Sequence, residues 1–256
     1  MDFVKINEDK GIFEIILNRP EKHNSFHPQM IEELTESFTA ANDSQTAKVV
    51  LLRGEGKSFC SGADLSWMQS MVDFNFEENF EDSKKLYAMF ESAKSCGNPV
   101  IGKIHGYVMG GAVGLVSICD VVAAEENTKF GFTEVKLGLA PAVISPFVLM
   151  KMNSSTAREL MLTGRTFDAT EARSANLVNF VGSEKEVNLY IEKTIEQFLS
   201  VDTTAVRETK KLISKVQGKD IKSEDVKNKT CQVIAHRRVS ASAQLRLRDF
   251  LEKKTK

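Results

Sequence analysis

The run Gly106-Tyr107-Val108-Met109-Gly110-Gly111-Ala112-Val113-Gly114-Leu115 carries an apolar strand into a double glycine and out into an apolar helix. The strand reads from Val100 to Val108, and the helix from Ala112 to about Cys119. A helix start leaves backbone N–H groups without intrahelical acceptors and concentrates partial positive charge there. Such a corner suits an oxygen that becomes negative during a reaction. Strand–glycine–helix junctions are common, so the weight of this one rests on the segments either side of it.

Upstream, Ser58-Phe59-Cys60-Ser61-Gly62-Ala63-Asp64-Leu65 follows Val49–Arg53, a short apolar run that reads as a buried strand. Downstream, Phe130-Gly131-Phe132-Thr133-Glu134-Val135-Lys136-Leu137 sets one carboxylate among apolar neighbours. A glutamate so placed either has a raised pKa and trades protons near neutral pH, or stands at a strand edge facing water, and spacing alone favours the second. Further out, Phe3–Ile6 and Ile12–Asn18 read as a hairpin, and Pro28–Ala41 as a helix with apolar residues at helical spacing. Met68–Phe80 shows no clear period. Asp82–Ser95 reads as a helix, and Val121–Ala124 as a strand. Gly138–Pro146 is a Pro-bearing connection. Helices fit Thr156–Thr163 and Ala169–Ser174, and a strand fits Leu177–Val181. The rest is helical: Lys185–Ser200, Thr204–Gln217 and Ser223–Leu251. Strands alternating with helices, then helices alone, predict an α/β core over residues 1–195 and a helical region over 196–256.

With 256 residues, 42% of them hydrophobic, the chain can bury a large core. A net charge of -1 supplies no field for nucleic acid or an anionic membrane. Cys60, Cys96, Cys119 and Cys231 form no C-x-x-C pair and no zinc-type cluster with histidine, so reduced thiols and no metal are expected. No apolar run approaches a membrane span, and the N-terminal residues lack a signal-peptide pattern. The expected compartment is the cytoplasm, or the mitochondrial matrix if the source is eukaryotic and a presequence has been removed. His105 and Asp120 read as structural residues at element ends.

In this order, the three segments resemble the crotonase (enoyl-CoA hydratase/isomerase) superfamily over nearly the whole chain. Asn18–Ser25 is similar to its N-R-P-x-x-x-N stretch, and Arg248–Lys253 to its closing F-x-E-K. Gly62–Met68 and Val135–Val148 are similar to one subgroup, the bacterial methylglutaconyl-CoA hydratases. The resemblance implies a ββα spiral core with a C-terminal helical trimerisation region. It also implies a homotrimer or a hexamer built as a dimer of trimers. The substrate would be an acyl-CoA thioester, with no cofactor beyond the coenzyme A that the substrate carries. Its enolate oxygen would accept the main-chain N–H groups of Ala63 and Gly111, and Glu134 would move protons.

At the position of the family's other glutamate stands Gly114. Glu134 must then work alone or with a water held by main-chain groups near Gly114. Coenzyme A contacts would come from Lys22, Asn24, Phe250 and Lys253, the last two from a neighbouring subunit. Gly62, Asp64, Leu65, Trp67, Met68, Gly110 and Pro141 would surround the thioester and acyl group. The implied activity is hydration of a short branched or dicarboxylic enoyl-CoA, 3-methylglutaconyl-CoA above all. Isomerisation or decarboxylation on the same scaffold, a non-catalytic CoA binder and an RNA binder are the alternatives. Against RNA, the first helix carries Glu32, Glu33 and Glu36 and no lysine, an acidic face that repels phosphate.

Overall fold

The structure, a computed structural model, describes residues 3–254, with side chains as far as Glu252. By internal contacts it divides into two compact units, one ending at Gln197 and the other beginning at Phe198.

The first unit opens with a hairpin, β1 (Val4–Asp9) and β2 (Ile12–Leu17), followed by α1 (Pro28–Asp43). Pro28 sits in the first turn of α1, and Met30, Ile31, Leu34, Phe38 and Ala41 form its buried stripe. Strand β3 (Val49–Gly54) pairs parallel to β2. After it come α2 (Leu65–Met71) and α3 (Phe76–Ser95). Where the sequence shows no period, α3 starts two turns earlier than expected. The cause is a capping box: Asn75 accepts from the Glu78 N–H, and Glu78 accepts from the Asn75 N–H.

The stretch expected as one strand is two. β4 (Val100–Ile104) joins the main sheet, and β5 (Tyr107–Met109) starts a second one. The turn between them is Gly106, at φ +62 and packed so closely that a Cβ would run into the Lys57 carbonyl. Only glycine fits there, and the corner turns the chain toward the double glycine. Then follow α4 (Gly111–Ile118), β6 (Val121–Glu125), β7 (Lys129–Gly131), α5 (Ser145–Lys151), α6 (Ser154–Thr163), β8 (Thr166–Asp168), α7 (Ala169–Ser174), β9 (Phe180–Gly182) and α8 (Glu184–Ser200). α5 and β8 were not anticipated, and the last strand lies slightly later than Leu177–Val181.

The main sheet runs β1-β2-β3-β4-β6-β9 and is parallel apart from the opening hairpin. The small sheet runs β5-β7-β8. Repeated strand pairs with a helix after them make the ββα spiral that the sequence resemblance implies. The apolar core lies between the main sheet and α1, α3 and α4, with Phe38, Leu52, Phe90, Ile104 and Leu115 fully enclosed. His105 contacts the Gly56 carbonyl, and Asp120 accepts the Val100 N–H at 2.8 Å, so both serve the fold as expected.

The second unit is helical: α9 (Thr203–Val216), α10 (Glu224–Val239) and α11 (Ala241–Lys254). The single helix expected over Ser223–Leu251 breaks at Ser240. Arg237 there donates to Asp202 at 2.9 Å and to Ser242 at 3.1 Å, and Asp202 caps α9 through the Ala205 N–H.

Candidate active site

The Ser58–Asp64 loop lies between two short ladders. On one side, Phe59 N donates to His105 O, Cys60 N to Tyr107 O, and Met109 N to Cys60 O. On the other, Phe26 N donates to Gly62 O at 2.7 Å and Asp64 N to Phe26 O at 2.8 Å. In this parallel bridge of Phe26 with Ala63, the neighbours of Ala63 make the bonds. The N–H of Ala63 itself therefore points away from the ladder, on an exposed residue.

The second donor comes from α4. Gly110 precedes the helix at φ 54 and ψ -124, and its N–H is bonded to Gly131 O at 2.8 Å. Gly111 is the first helical residue, so its N–H has no acceptor within the helix. Two backbone donors, one at a helix start, thus come from loops locked to each other through β5.

Glu134 opens a 3-10 turn directly after β7. Its carboxylate closes over Gly110: a Cβ on that glycine would stand 3.3 Å from Glu134 Oε1. The positive φ at 110 favours glycine, and a side chain there would crowd the carboxylate above it. Glu134 Oε2 is buried without a hydrogen-bond partner. Burial raises the carboxyl above its ordinary value. A proton-trading group and two backbone donors so disposed suit a carbonyl compound whose oxygen becomes an enolate.

Gly114 lies one turn further along α4, fully buried. A Cβ there would stand 2.5 Å from Ile144 Cγ2 and 3.1 Å from Phe90 Cε1. Ile144 is itself buried, and the rings of Phe90 and Tyr87 pack on Phe147 behind it. The water expected beside Gly114 has no room on this side of the helix: a branched aliphatic side chain fills it.

Several residues expected at the ligand are committed to the fold. The Asn24 side chain is 0% exposed, accepts from Arg19 N at 2.7 Å and donates to Glu55 O and Ser58 O, both at 2.8 Å. Its hydrogen-bonding groups are spent on the loop. Asp64 is buried as well; it accepts from Arg19 Nη2 at 3.0 Å and from Ser66 N at 2.8 Å, capping α2. Trp67 is 6% exposed and belongs to the core. Lys22 and Leu65 are exposed, while Met68 and Pro141 are half-buried. Phe250 is exposed on α11 in the second unit; the Lys253 side chain lies outside the described residues. What the sequence reading missed is Arg19, which binds Asp64 while its Nη1 donates to Ser25 O at 2.9 Å. It is the arginine of the N-R-P stretch, so the signal was present, attached to a motif read for coenzyme A.

Among the described residues, no group of three His, Cys, Asp or Glu gathers as a metal site, and no helix is long and apolar enough to cross a membrane.

A half-buried glutamate over Gly110, next to the free N–H of Gly111 at a helix start, is an arrangement suited to stabilising a carbonyl compound's enolate. The family model for enoyl-CoA hydratase/isomerase matches residues 7–256, and the chain belongs to this crotonase superfamily. The enoyl-CoA hydratase of Shewanella pealeana is similar in structure at a TM-score of 0.94, with 31% identity, covering 98% of this chain and 94% of that one. The crotonyl-CoA hydratase of Syntrophomonas wolfei is 28% identical over 84% of this chain and 83% of its own length. The peroxisomal Delta(3,5)-Delta(2,4)-dienoyl-CoA isomerase of Arabidopsis thaliana is 29% identical over 83% of this chain and 81% of its own.

Proposed function

We propose that the chain is an enoyl-CoA hydratase acting on a short branched or dicarboxylic enoyl-CoA, with 3-methylglutaconyl-CoA as the leading substrate. The Glu134 carboxylate over Gly110, next to the free N–H that opens α4, carries this reading; the likeness of Gly62–Met68 and Val135–Val148 to methylglutaconyl-CoA hydratases supports the substrate. The thioester oxygen accepts from Ala63 N and Gly111 N. Ionised Glu134 takes a proton from water as the hydroxyl adds to the β-carbon. Negative charge collects on the thioester oxygen, where the two donors are worth most. Glu134 then returns that proton to the α-carbon, so the sum is one added water. Coenzyme A arrives with the substrate, Lys22 is the exposed cation for its phosphates, and no resident cofactor takes part. Three chains assemble through the helical unit, with Phe250 and Lys253 of one chain serving the site of the next. The working compartment is the cytoplasm.

The packing of Ile144 against Gly114 favours a second reading, isomerisation. A site with one carboxylate can take a proton from one carbon and return it to another. Incubation with 3-methylglutaconyl-CoA and with crotonyl-CoA, followed by product mass and chromatographic retention, separates the two. Hydration adds the mass of water and requires Glu134, whereas isomerisation leaves the mass unchanged. If no thioester is altered in either way, both readings fail.

A further inference from the structure

Arg19 and Asp64 form a buried ion pair immediately beside Ala63, and nothing in the chemistry above uses it. Asp64 Oδ2 accepts from Arg19 Nη2 at 3.0 Å and from Ser25 Oγ at 3.3 Å. Its Oδ1 accepts the N–H and the hydroxyl of Ser66 at the head of α2. Arg19 is tied in turn to Ser25 O, and its guanidinium stacks 4.5 Å over the Phe3 ring. Main-chain bonds close the Arg19–Phe26 segment on itself, Asn24 N to Arg19 O and Ser25 N to Lys22 O. Phe26, at the end of that segment, is the ladder partner of Ala63.

A buried charge pair of this kind is seldom the cheapest way to stabilise a fold, since apolar packing of the same volume often does as well. Its distinctive property is fixed geometry. Arg19 and Asp64 hold the residues on both sides of the Phe26–Ala63 bridge, which flanks the Ala63 N–H. The same closed segment presents Lys22, the exposed cation of the proposed coenzyme A contact.

We infer that Arg19 and Asp64 are positioning residues for the oxyanion donor at Ala63, acting on turnover rather than on coenzyme A binding. The inference rests on the proposed use of Ala63 N–H by a thioester oxygen. Removing one such donor costs about 100- to 1,000-fold in kcat. A donor turned out of line should cost less.

The test uses the full chain with crotonyl-CoA or whichever thioester it turns over, and compares Asp64→Asn, Arg19→Lys and the double variant. Asparagine still caps α2, so Asp64→Asn should fold, which circular dichroism and a melting curve check. The expected result is a kcat lowered about 10-fold or more, with KM and the Kd for free coenzyme A within about 3-fold, because misplacement affects the charge-developing step. The double variant should lose no more than the more impaired of the two single variants, because both act through one geometry. An unchanged kcat with a lowered Tm would overturn the inference and leave the pair as a support of the fold. Additive losses, or a KM change that accounts for the whole effect, would overturn it too. Glu134→Gln assayed alongside separates the two levels. If that variant keeps wild-type turnover, the reading of the site fails, whatever Arg19 does.

Discussion

Glu134 joins function and stability in one side chain. Its carboxyl titrates above the ordinary value because burial penalises the charged form, and Oε2 has no donor to offset that. A group whose folded pKa is raised stabilises the fold below its unfolded pKa, and that contribution is lost as pH rises through the folded value. At neutral pH the ionised carboxylate is therefore a burden on the fold. Glu134→Gln should lower kcat by about 100- to 10,000-fold, the usual reach of a general acid–base group. The same variant should melt at a higher temperature than wild type near pH 7, with the gap closing in acid, as paired melting curves would reveal. In wild type, kcat/KM should fall as pH drops through the raised value, because the base form is lost; the pH profile of the residual Glu134→Gln activity should lack that limb. Glu134 was legible in the sequence because its apolar neighbours are adjacent in the chain. The bonds that Asn24 and Asp64 make within the fold were not legible, because their partners are distant in the chain, Arg19 and Asp64 being 45 residues apart.

The packing of α4 on α5 explains how a familiar position came to hold glycine. With Ile144 Cγ2 standing 2.5 Å from where a Gly114 Cβ would be, α5 lies closer to α4 than any side chain at 114 permits. Gly114→Ala should therefore destabilise the protein by about 1–3 kcal/mol, the usual cost of overpacking. Ile144→Ala alone should destabilise by about 2–5 kcal/mol through the cavity it leaves. The double variant should lose less than the two single losses added together, since each change relieves the other. Urea denaturation of the four proteins measures this; strict additivity would mean the two positions do not compete for space. A glycine in an apolar helix gives no hint of what presses on it, so this contact was invisible in the chain. The start of α3 was written there as Asn75-x-x-Glu78 but masked by the mixed residues before it. Asn75→Ala should cost about 1 kcal/mol of stability, the ordinary value of a helix cap.

At the scale of the whole molecule, alternating strands and helices followed by helices alone made the α/β core with a helical tail legible. The division of strands between two sheets was not, because a single residue, Gly106, bends one apolar run into both. The helical unit poses the remaining question. Neither α9 nor α10 has a fully buried residue, and Ile234, Leu245, Leu247 and Phe250 are each about half exposed or more. Ala205, Leu212, Val233, Ile234 and Leu247 line a groove of about 450 Å³ within this unit. Apolar surface on this scale marks an interface when it is contiguous, and the proposed trimer supplies an occupant in other copies of the chain. Sedimentation velocity should then give a particle three times the 28.5 kDa chain mass, or six times if trimers pair. Ile234→Lys, which puts a charge into the groove, should shift the particle toward single chains, most clearly on dilution. If Phe250 and Lys253 serve a neighbour's site, the dissociated variant should bind coenzyme A more weakly. A single chain at every concentration, with undiminished coenzyme A affinity, would refute the assembly and return the coenzyme A contacts to one subunit.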